Sequence, residues 1–382
     1  MNGSYTAEDL YKWIEDDESL IYLDVRNEED FSRFSVEGPN EISLINIPYF
    51  DFIENPSMAS TRLPKDFPIR VICAKEGSAK FVAEILQEQG YVDVLWLQEG
   101  IVSWGNVLIP KQIPSPSNYN LWQFNRPGKA SCSYGLVSGR ELAIFDASRN
   151  VDFYLSFAKK LGVNISHVFE THLQADYISG GPRLSEEAGV QYLAHEEDYS
   201  GSHVNYRPVQ DGEKIVMNNG TGPEILVNHS PGHTPGSTTY VIDEKFMISG
   251  DTVFIVSIGR PDLGKKVVEW ASRLYETLKH RIGVLPDSLL VLPGHYTDWE
   301  NESDDDFRIM NDFGTVKQIN EKIYSIDNEE EFIEFIVENM REQPAVYNEI
   351  RKVNAGLIAP SDEEQNVMDL GKNECAASHM LN

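Results

Sequence analysis

The sequence predicts an α/β chain that folds as two globular units, and three observations lead to this prediction. The 382 residues are enough for about two to three domains. Hydrophobic residues make up 41% of the chain and aromatic residues 10%, which is enough to bury cores and excludes a disordered or fibrous chain. Near Trp122 the pattern changes from apolar runs and amphipathic stretches to a Gly-punctuated, β-rich sequence. We therefore expect one domain over 1–109 and a second over 122–382, joined by a linker over 110–121.

The first domain has the pattern of a β-α-β unit. Short apolar runs at 20–23, 71–73 and 92–97 predict strands. Between the last two runs, residues 79–89 carry apolar side chains at helical spacing and stop at Gly90, which predicts a helix. Strands that alternate with helices in this way favour a parallel sheet with helices on its faces.

The second domain has the pattern of an α/β sandwich. Residues 110–118, before it, are rich in Pro and Ser and lack apolar periodicity, which is typical of a linker. The very acidic stretch 298–341 predicts a solvated, helical C-terminal extension. Strands are predicted at 132–137, 142–145, 225–228, 238–241 and 246–249, and helices at 151–161 and 267–281.

The charge balance limits the kinds of partner. With 32 Lys and Arg against 61 Asp and Glu, the formal net charge is −29, which repels nucleic acids and anionic membrane surfaces. The sequence has no basic patch to offset this, so small molecules are the expected partners, without nucleic acid or membrane. The first 20 residues lack a signal-peptide pattern and no run of about 18 apolar residues follows, so we expect a cytoplasmic protein. The oligomeric state stays open, and a homo-oligomer is one of the options.

Cys73 is a candidate reactive thiol. The chain has three cysteines at distant positions, which suits a reducing compartment rather than a disulfide framework. Cys73 ends an apolar run and precedes a short loop that leads into the predicted helix. Backbone N–H groups at a helix N-terminus lower the pKa of a thiol and stabilise an anion, so the position suits a thiolate or a persulfide. The alternative is a buried structural cysteine.

His172, His233 and Asp251 are candidate metal ligands. Each follows an apolar, strand-like run and lies where the chain turns, so the three side chains can converge at one edge of a sheet. Two imidazoles and one carboxylate fill three coordination positions and leave others open, as in the non-haem Fe(II) oxygenases. The alternative for each histidine alone is an ordinary, satisfied polar residue.

Four segments of the first domain are similar to those of the rhodanese family of sulfurtransferases. They are Tyr-Leu-Asp-Val-Arg at 22–26, Ile-Asn-Ile-Pro at 45–48, the loop 73–78 and the closing segment 97–104. The resemblance implies that Cys73 is catalytic and carries sulfane sulfur as a persulfide. Lys75 would add positive charge beside an anionic substrate, and an ordinary exposed lysine is the alternative. Residues 35–38 depart from the family, which usually has a Gly-His-Ile-Pro-Gly-like turn.

Three loops of the second domain resemble those of the metallo-β-lactamase superfamily, in the same order along the chain. They are Pro-Gly-His-Thr-Pro-Gly-Ser at 231–237, Ser-Gly-Asp-Thr at 249–252 and Leu-Pro-Gly-His at 292–295. The resemblance implies an αββα sandwich. The predicted fold class is thus α/β, with a rhodanese-like parallel-sheet domain followed by a metallo-β-lactamase αββα sandwich.

The first metal motif of that superfamily, His-x-His-x-Asp-His, is altered here in two places. His172 and Asp176 match its first His and its Asp, but Gln174 and Tyr177 replace the other two histidines. A hydrolase with two zinc ions uses those imidazoles, one for each metal, whereas a mononuclear iron enzyme needs only the three ligands named above. In this superfamily that set marks the persulfide dioxygenases. The resemblance implies one Fe(II) per chain, with zinc as the alternative.

The same resemblance implies roles for residues around the metal. Asp176 would orient a histidine or a bound water rather than bind the metal. Arg260, in a Gly-Arg-Pro-Asp-Leu segment at 259–263, would help to organise the substrate pocket and bind carboxylates of a thiol peptide; the alternative is a structural salt bridge with Asp262. His295 would be a leftover ligand of an empty second site or a wall of the pocket.

Together the two resemblances imply sulfur chemistry in both domains. A persulfide dioxygenase converts a low-molecular-weight thiol persulfide, such as glutathione persulfide, and O2 into sulfite and thiol. Sulfite could then accept the sulfur of a Cys73 persulfide, which gives thiosulfate. Two alternatives stay open: a zinc-dependent thioester hydrolase of the glyoxalase II type, and a non-catalytic sulfur-carrier or sensor module with a decayed metal site.

Overall fold

The computed structural model describes residues 3–262, 266–340 and 342–376. Leu263, the last residue of the Gly-Arg-Pro-Asp-Leu segment, and Arg341, the end of the acidic stretch, lie outside the described residues. The described residues form two compact units. The first contains those up to Ile109 together with Arg126–Lys129 and Leu370–Lys372, and the second contains the others. None of the described helices is both long and apolar enough to cross a membrane.

A five-stranded sheet with helices around it forms the first unit. Its elements are β1 Gly3–Tyr5, α1 Ala7–Glu15, β2 Ile21–Asp24, α2 Glu28–Arg33, β3 Ser43–Asn46, α3 Tyr49–Glu54, α4 Pro56–Ser60, β4 Ile69–Ile72, α5 Glu76–Glu88, β5 Val94–Leu97 and α6 Ile101–Asn106. The strand order is β1-β5-β4-β2-β3, and every described pair is parallel. The predicted β-α-β unit is therefore confirmed as β4-α5-β5.

The parallel arrangement places Asp24 and Cys73 at the same edge of this sheet. β2 and β4 are neighbours, and every residue in both strands is buried, as in strands that are covered on both faces. Because the strands are parallel, their carboxyl ends lie at the same edge. Asp24 ends β2 there, and Cys73 directly follows β4. The predicted catalytic cysteine thus lies at the edge where β2 runs into the Asp-Val-Arg turn.

A buried ion pair fixes the turn after β2. Arg26 donates from Nε and Nη2 to the Asp24 carboxylate, at 3.0 and 2.6 Å from Oδ2, and from Nη2 to the Phe34 carbonyl at 2.5 Å. The two charged side chains are only 3% and 0% exposed. Their mutual hydrogen bonds offset the cost of removing both charges from water.

Two sheets form the centre of the second unit. The strands of the first are β6 Ile109–Ile113, β7 Asn120–Arg126, β8 Ser131–Ser138, β9 Glu141–Phe145, β10 Asn164–Phe169, β11 Tyr192–His195 and β12 Arg207–Val209. Those of the second are β13 Lys214–Val216, β14 Glu224–His229, β15 Thr238–Ile242, β16 Phe246–Gly250, β17 Leu290–Pro293 and β18 Asn311–Asp312. Hydrogen-bonded neighbours run from β12 through to β6 in the first sheet and from β13 to β18 in the second.

The two sheets pack face to face, with helices on the outside. The Tyr240 ring of β15 contacts the Phe145 and Phe169 rings of the other sheet, at centroid distances of 5.4 and 5.1 Å. The layers confirm the predicted αββα fold class. The helices of this unit are α7 Val151–Leu161, α8 Gly181–Ala188, α9 Glu196–Tyr199, α10 Met217–Gly220, α11 Val267–Glu276, α12 Trp299–Glu302, α13 Phe313–Ile319, α14 Glu321–Tyr324, α15 Glu329–Glu338, α16 Val346–Asn354 and α17 Asp362–Met368.

Two predicted segments differ from the structure. Part of the predicted linker is β6, an edge strand of the seven-stranded sheet. An edge strand tolerates a proline such as Pro110, and its brief alternation of Ile and polar residues is hard to recognise among three prolines. The predicted helix 267–281 is α-helical only as far as Glu276, and Thr277–Arg281 continue it as a π-helical turn.

We expect Arg26→Ala to destabilise the first unit by about 3–5 kcal/mol, because it leaves the Asp24 carboxylate buried without its partner. Arg62→Ala is the matched control, since Arg62 pairs with Asp51 at 3.0 Å but both side chains are about half exposed. Arg62→Ala should lower the free energy of unfolding of the first unit by at most about 1 kcal/mol. Hydrogen–deuterium exchange of β2 and β4 peptides in a denaturant series measures both values, and equal effects of the two variants would contradict the argument.

Candidate functional site

The three predicted metal ligands lie at strand ends in the second unit. His172 is the third residue after β10, His233 lies in the loop between β14 and β15, and Asp251 directly follows β16. β10 belongs to the seven-stranded sheet, whereas the other strands belong to the six-stranded sheet, so the side chains meet where the two sheets end. All three residues are buried.

One atom of each ligand faces the other two. Asp251 Oδ2 lies 3.6 Å from His172 Nε2 and 3.5 Å from His233 Nε2. Among the described residues, none of these three atoms has a hydrogen-bond partner. Ligand atoms that bind one metal ion at about 2.1 Å lie about 3.0–3.5 Å from each other. Buried polar atoms without partners are costly, so the set fits a single metal ion.

Hydrogen bonds on the other ring nitrogens leave each Nε2 as an acceptor. His172 Nδ1 lies 2.9 Å from Thr171 Oγ1, and that hydroxyl donates to Asp146, so the ring must donate to the hydroxyl. His233 Nδ1 lies 2.9 Å from the Arg260 carbonyl oxygen, which can only accept. Burial lowers the pKa of His233 to about 4, so this ring is neutral. Both imidazoles therefore direct a lone pair at the site.

Asp146 belongs to this site, although the sequence analysis does not single it out. It directly follows β9, and its carboxylate accepts from the Thr171 N–H at 2.7 Å and from the Thr171 hydroxyl at 2.9 Å. Burial raises the pKa of Asp146 to about 6, although His172 and Thr171 act in the opposite direction. An Asp that directly follows an apolar strand is the pattern that selects Asp251, and the same pattern could have found Asp146.

His295 lies between two carboxylates. Its Nδ1 is 2.7 Å from Asp251 Oδ1, and its Nε2 is 2.9 Å from Asp176 Oδ2. Burial alone would lower the pKa of His295, but Asp176 and Asp251 outweigh it and raise the pKa to about 10. The ring is therefore an imidazolium that donates from Nδ1 to Asp251 and forms an ion pair through Nε2 with Asp176. Asp176, expected to orient a histidine, contacts this one.

The two residues that replace motif histidines make other contacts. Gln174 donates from Nε2 to Glu170 Oε1 at 3.2 Å. The Tyr177 hydroxyl donates to the Asp146 carbonyl at 3.5 Å, and its ring lies 5.9 Å from that of His295. Neither contact is with the three candidate ligands.

Arg260 lies in the salt bridge that the sequence analysis gives as its alternative role. Its Nε and Nη2 donate to Asp262 at 2.7 and 2.8 Å, and its Nη1 donates to the Glu374 carbonyl at 3.2 Å. The residue is only 4% exposed. The guanidinium is thus buried and paired with Asp262, and Arg260 contributes to the site through the carbonyl that holds His233.

Cys375 lies beside the site, a position for which the sequence gives no signal. It is fully buried, its carbonyl accepts from the Arg260 N–H at 3.0 Å, and its thiol hydrogen-bonds Asp251 and Tyr347. Burial, together with the Asp176 and Asp251 charges, raises the pKa of this thiol well above its usual value. Cys375 is therefore a neutral part of the wall around the metal ligands.

Cys73 lies in the turn between β4 and α5 of the first unit. Its carbonyl accepts from the Ile101 N–H at 2.8 Å, which joins the turn to the start of α6. Gly100 has a φ of +67°, and a Cβ there would lie 2.6 Å from the Ala74 carbonyl oxygen. Only glycine allows this close approach. The loop is therefore held in shape by α6.

The expected lowering of the Cys73 pKa is not the net result. The nearby N–H groups of Lys75 and Ala74 and the hydroxyl of Ser78 do lower the pKa of the thiol. Burial raises it more, and Asp24 adds to the increase, so the pKa lies above the usual value of 9.0. The start of a helix after Cys73 is thus correctly predicted. The loss of solvent around the sulfur, however, raises the pKa by more than the groups at the helix end lower it. Lys75 is exposed.

Comparison with known families agrees with this architecture. The family model described as the metallo-beta-lactamase superfamily matches residues 127–299, and the model described as a rhodanese-like domain matches residues 6–106. The chain therefore contains a rhodanese-like domain followed by a domain of the metallo-β-lactamase superfamily, a fold that binds metal. This confirms both families predicted from the sequence.

Individual relatives match parts of the chain. The mitochondrial persulfide dioxygenase ETHE1 of Bos taurus is 30% identical over 176 residues, 43% of this chain and 64% of that protein. A hydroxyacylglutathione hydrolase of Anaeromyxobacter dehalogenans is 31% identical over 172 residues, 44% of this chain and 63% of that protein. The chain thus spans less than two thirds of either relative. The crystal structure of ETHE1 from Myxococcus xanthus is similar to this chain, with a TM-score of 0.53 and 23% sequence identity. The aligned region is 65% of this chain and 99% of that one, and this likeness shows a shared fold.

We expect Cys73 to react slowly with iodoacetamide at neutral pH, because its raised pKa keeps the thiol protonated. The rate should rise with pH without reaching a plateau below pH 9. Ser78→Ala removes a hydroxyl that lowers the pKa, so this variant should react more slowly at any pH in that range. Peptide mass spectrometry separates Cys73 from the other two cysteines, and a plateau below pH 8 would contradict the expectation.

Proposed function

We propose that the metallo-β-lactamase domain is a mononuclear Fe(II) persulfide dioxygenase and that the rhodanese-like domain is a sulfurtransferase. The first reaction is R-S-SH + O2 + H2O → R-SH + SO3²⁻ + 2 H⁺. The sulfur–sulfur bond breaks, the terminal sulfur is oxidised to sulfite and O2 is reduced. R is a low-molecular-weight thiol such as glutathione. The persulfide dioxygenase named among the relatives supports a persulfide as the substrate.

The ligand set supports a single metal ion. His172, His233 and Asp251 offer three unpartnered atoms to one centre. Two imidazoles and one carboxylate, with further positions open, are the ligands of non-haem Fe(II) oxygenases. Asp176, His295 and Cys375 lie together beside this centre, but Gln174 and Tyr177 replace the two imidazoles that a dinuclear zinc site uses, and they make contacts elsewhere.

Hydrogen bonds from the surrounding residues orient the three ligands. Thr171 and Asp146 hold His172, and the Arg260 carbonyl holds His233, so both rings present Nε2. His295 donates to Asp251 Oδ1 and leaves only Oδ2 for the metal. A bound Fe(II) would supply a redox centre for O2 and a Lewis acid for the persulfide sulfur, which side chains alone cannot do. The buried position of the ligands keeps bulk water away.

A zinc thioester hydrolase is the second candidate for this domain. The hydroxyacylglutathione hydrolases among the relatives favour it. A two-zinc hydrolase needs imidazoles on both metals, and here Gln174 and Tyr177 make contacts elsewhere. The content of metal per chain separates the two candidates.

For the rhodanese-like domain we propose sulfur transfer through a Cys73 persulfide. The step is Cys73-S-SH + SO3²⁻ → Cys73-SH + S2O3²⁻, in which the outer sulfur moves to sulfite and its bond to Cys73 breaks. The Lys75 and Ala74 N–H groups and the Ser78 hydroxyl, which lower the pKa of the thiol, would stabilise the thiolate that leaves. Exposed Lys75 would favour the approach of the sulfite anion. Fusion of two domains raises the effective concentration of a shared intermediate to about the mM range for a short linker.

We expect the iron-loaded protein to consume O2 when glutathione persulfide is added, and to contain about one iron per chain. His172→Ala should abolish the uptake, because it removes a ligand. His280→Ala is the matched control, since the His280 side chain is 67% exposed, and it should keep the wild-type rate. An oxygen electrode measures the rate, and elemental analysis of protein purified without added metal measures the content.

Two results would overturn the dioxygenase proposal. One is equal O2 uptake by the wild type and His172→Ala. The other is about two zinc ions per chain together with hydrolysis of a glutathione thioester, which is the result expected for the second candidate. Protein without bound metal and with only Cys73 reactivity would instead support the carrier or sensor module.

We expect Cys73→Ser to abolish thiosulfate formation from glutathione persulfide and O2 while it leaves O2 uptake unchanged. Sulfite should accumulate in its place, because the acceptor is still made and the thiol that carries the sulfur is absent. Chromatography of monobromobimane derivatives measures sulfite and thiosulfate in one sample. Thiosulfate that persists in the variant would show that the two activities are not coupled through Cys73.

A further inference from the structure

One carboxylate joins the two loops that carry the metal histidines. Asp198, in the short helix α9, accepts from the Leu173 N–H at 2.8 Å and from the Thr234 hydroxyl at 2.6 Å, both with Oδ2. Its Oδ1 accepts from the Gly236 N–H at 2.7 Å. Leu173 directly follows His172, and Thr234 directly follows His233.

We propose that Asp198 is a positioning residue that sets the separation of the His172 and His233 rings before the metal binds. The inference rests on the metal site proposed above. Asp198 hydrogen-bonds neither ring. It acts through the N–H and hydroxyl groups of the residues that follow the two histidines. Without it, the loop after β10 and the loop before β15 would lose a connection made by three charge-assisted hydrogen bonds.

The local sequence is arranged around this carboxylate. A Cβ at position 236 would lie 2.6 Å from Asp198 Cγ and 2.7 Å from the Asp198 nitrogen, so only glycine allows the helix to approach the loop. The Thr234 hydroxyl also lies 2.9 Å from Ser237 Oγ, and the Thr234 N–H donates to the same Ser237 oxygen. The His233 loop is therefore folded so that two of its donors reach Asp198.

Helix α9 is itself fixed on both sides of Asp198. The Tyr199 hydroxyl lies 2.6 Å from the buried Tyr192 hydroxyl, and the ring of His195, the residue before α9, stacks on His229 at 3.9 Å. Glu197 pairs with Arg273 at 2.7 Å on the outside of the helix. Because the helix is held by these neighbours, the Asp198 carboxylate is a rigid point to which both loops are attached.

The number of donors explains why a carboxylate is needed at 198. Three donors converge on two oxygens, and a carboxylate offers about four acceptor sites. An asparagine of the same shape would place an NH2 group against one or more of these donors. Hydrogen-bonded residues behind metal ligands typically contribute 10–100-fold to metal affinity.

The experiment measures Co²⁺ binding by the full chain, followed through the visible d–d absorption of the bound ion. Asp198→Asn should weaken the binding about 10–100-fold and change the absorption bands, because the two rings are no longer held at a fixed separation. Glu196→Gln is the matched control on the same helix, and its dissociation constant should stay within about 2-fold of the wild type, since Glu196 is exposed and takes no part in the contacts that hold the helix. The thermal midpoint of each metal-free variant is recorded as well.

Thr234→Val provides a second variant in case Asp198→Asn does not fold. It removes one of the three donors without placing an NH2 group in the site, and it should weaken Co²⁺ binding about 3–10-fold. Co²⁺ affinity and absorption bands that match the wild type in a folded Asp198→Asn, or in Thr234→Val where the first variant is unfolded, would overturn the proposal. The measurement needs no turnover, so a failure of the dioxygenase proposal in the O2 assay would be seen separately.

Discussion

The second domain depends on one constraint, which is that three buried candidate ligand atoms have no hydrogen-bond partner among the described residues. His172 Nε2, His233 Nε2 and Asp251 Oδ2 face each other at 3.5–3.6 Å without a hydrogen bond from the described residues. Removing such atoms from water costs about 2–7 kcal/mol each when nothing replaces the lost hydrogen bonds. A cation at their centre is the natural compensation. Metal binding and the stability of this part of the fold should therefore be linked, since a metal that binds the folded chain stabilises it by mass action.

The remaining polar groups around these atoms follow from the same constraint. Each ligand has a second polar atom, and each of these is fixed: Thr171 and Asp146 on His172, the Arg260 carbonyl on His233, and His295 on Asp251. These contacts determine which nitrogen carries a proton, so they decide that the lone pairs point inward. His295 has the further effect that its positive charge lies between the Asp176 and Asp251 carboxylates and offsets theirs.

Much of this could be predicted from the sequence, and the misses have physical causes. The strands, the helix after Cys73 and both domain families follow from local patterns, and these are confirmed. β6 was hidden because edge strands are short and tolerate proline. Asp198 and Cys375 are missed because their roles depend on contacts with residues about 36 and 115 positions away, which no local pattern records. Asp146, by contrast, directly follows a strand, and the pattern that selects Asp251 could have found it. Whether the pKa of Cys73 is raised or lowered depends on how far the sulfur is buried, and burial too is a property of the fold.

The charge of the chain bears on how the two halves could share sulfite. With a net charge of −29, the chain repels anions at long range, and Arg260 cannot offset this because its guanidinium is buried against Asp262. The raised pKa of Cys73 makes its thiolate a poorer leaving group, so sulfur transfer would depend on the groups in the turn that lower this pKa. The N–H groups of Lys75 and Ala74 stabilise charge without a counter-ion, so the turn can hold a thiolate briefly as sulfur leaves. An acidic protein can in this way handle an anionic substrate through backbone dipoles and an exposed lysine, rather than through a basic patch.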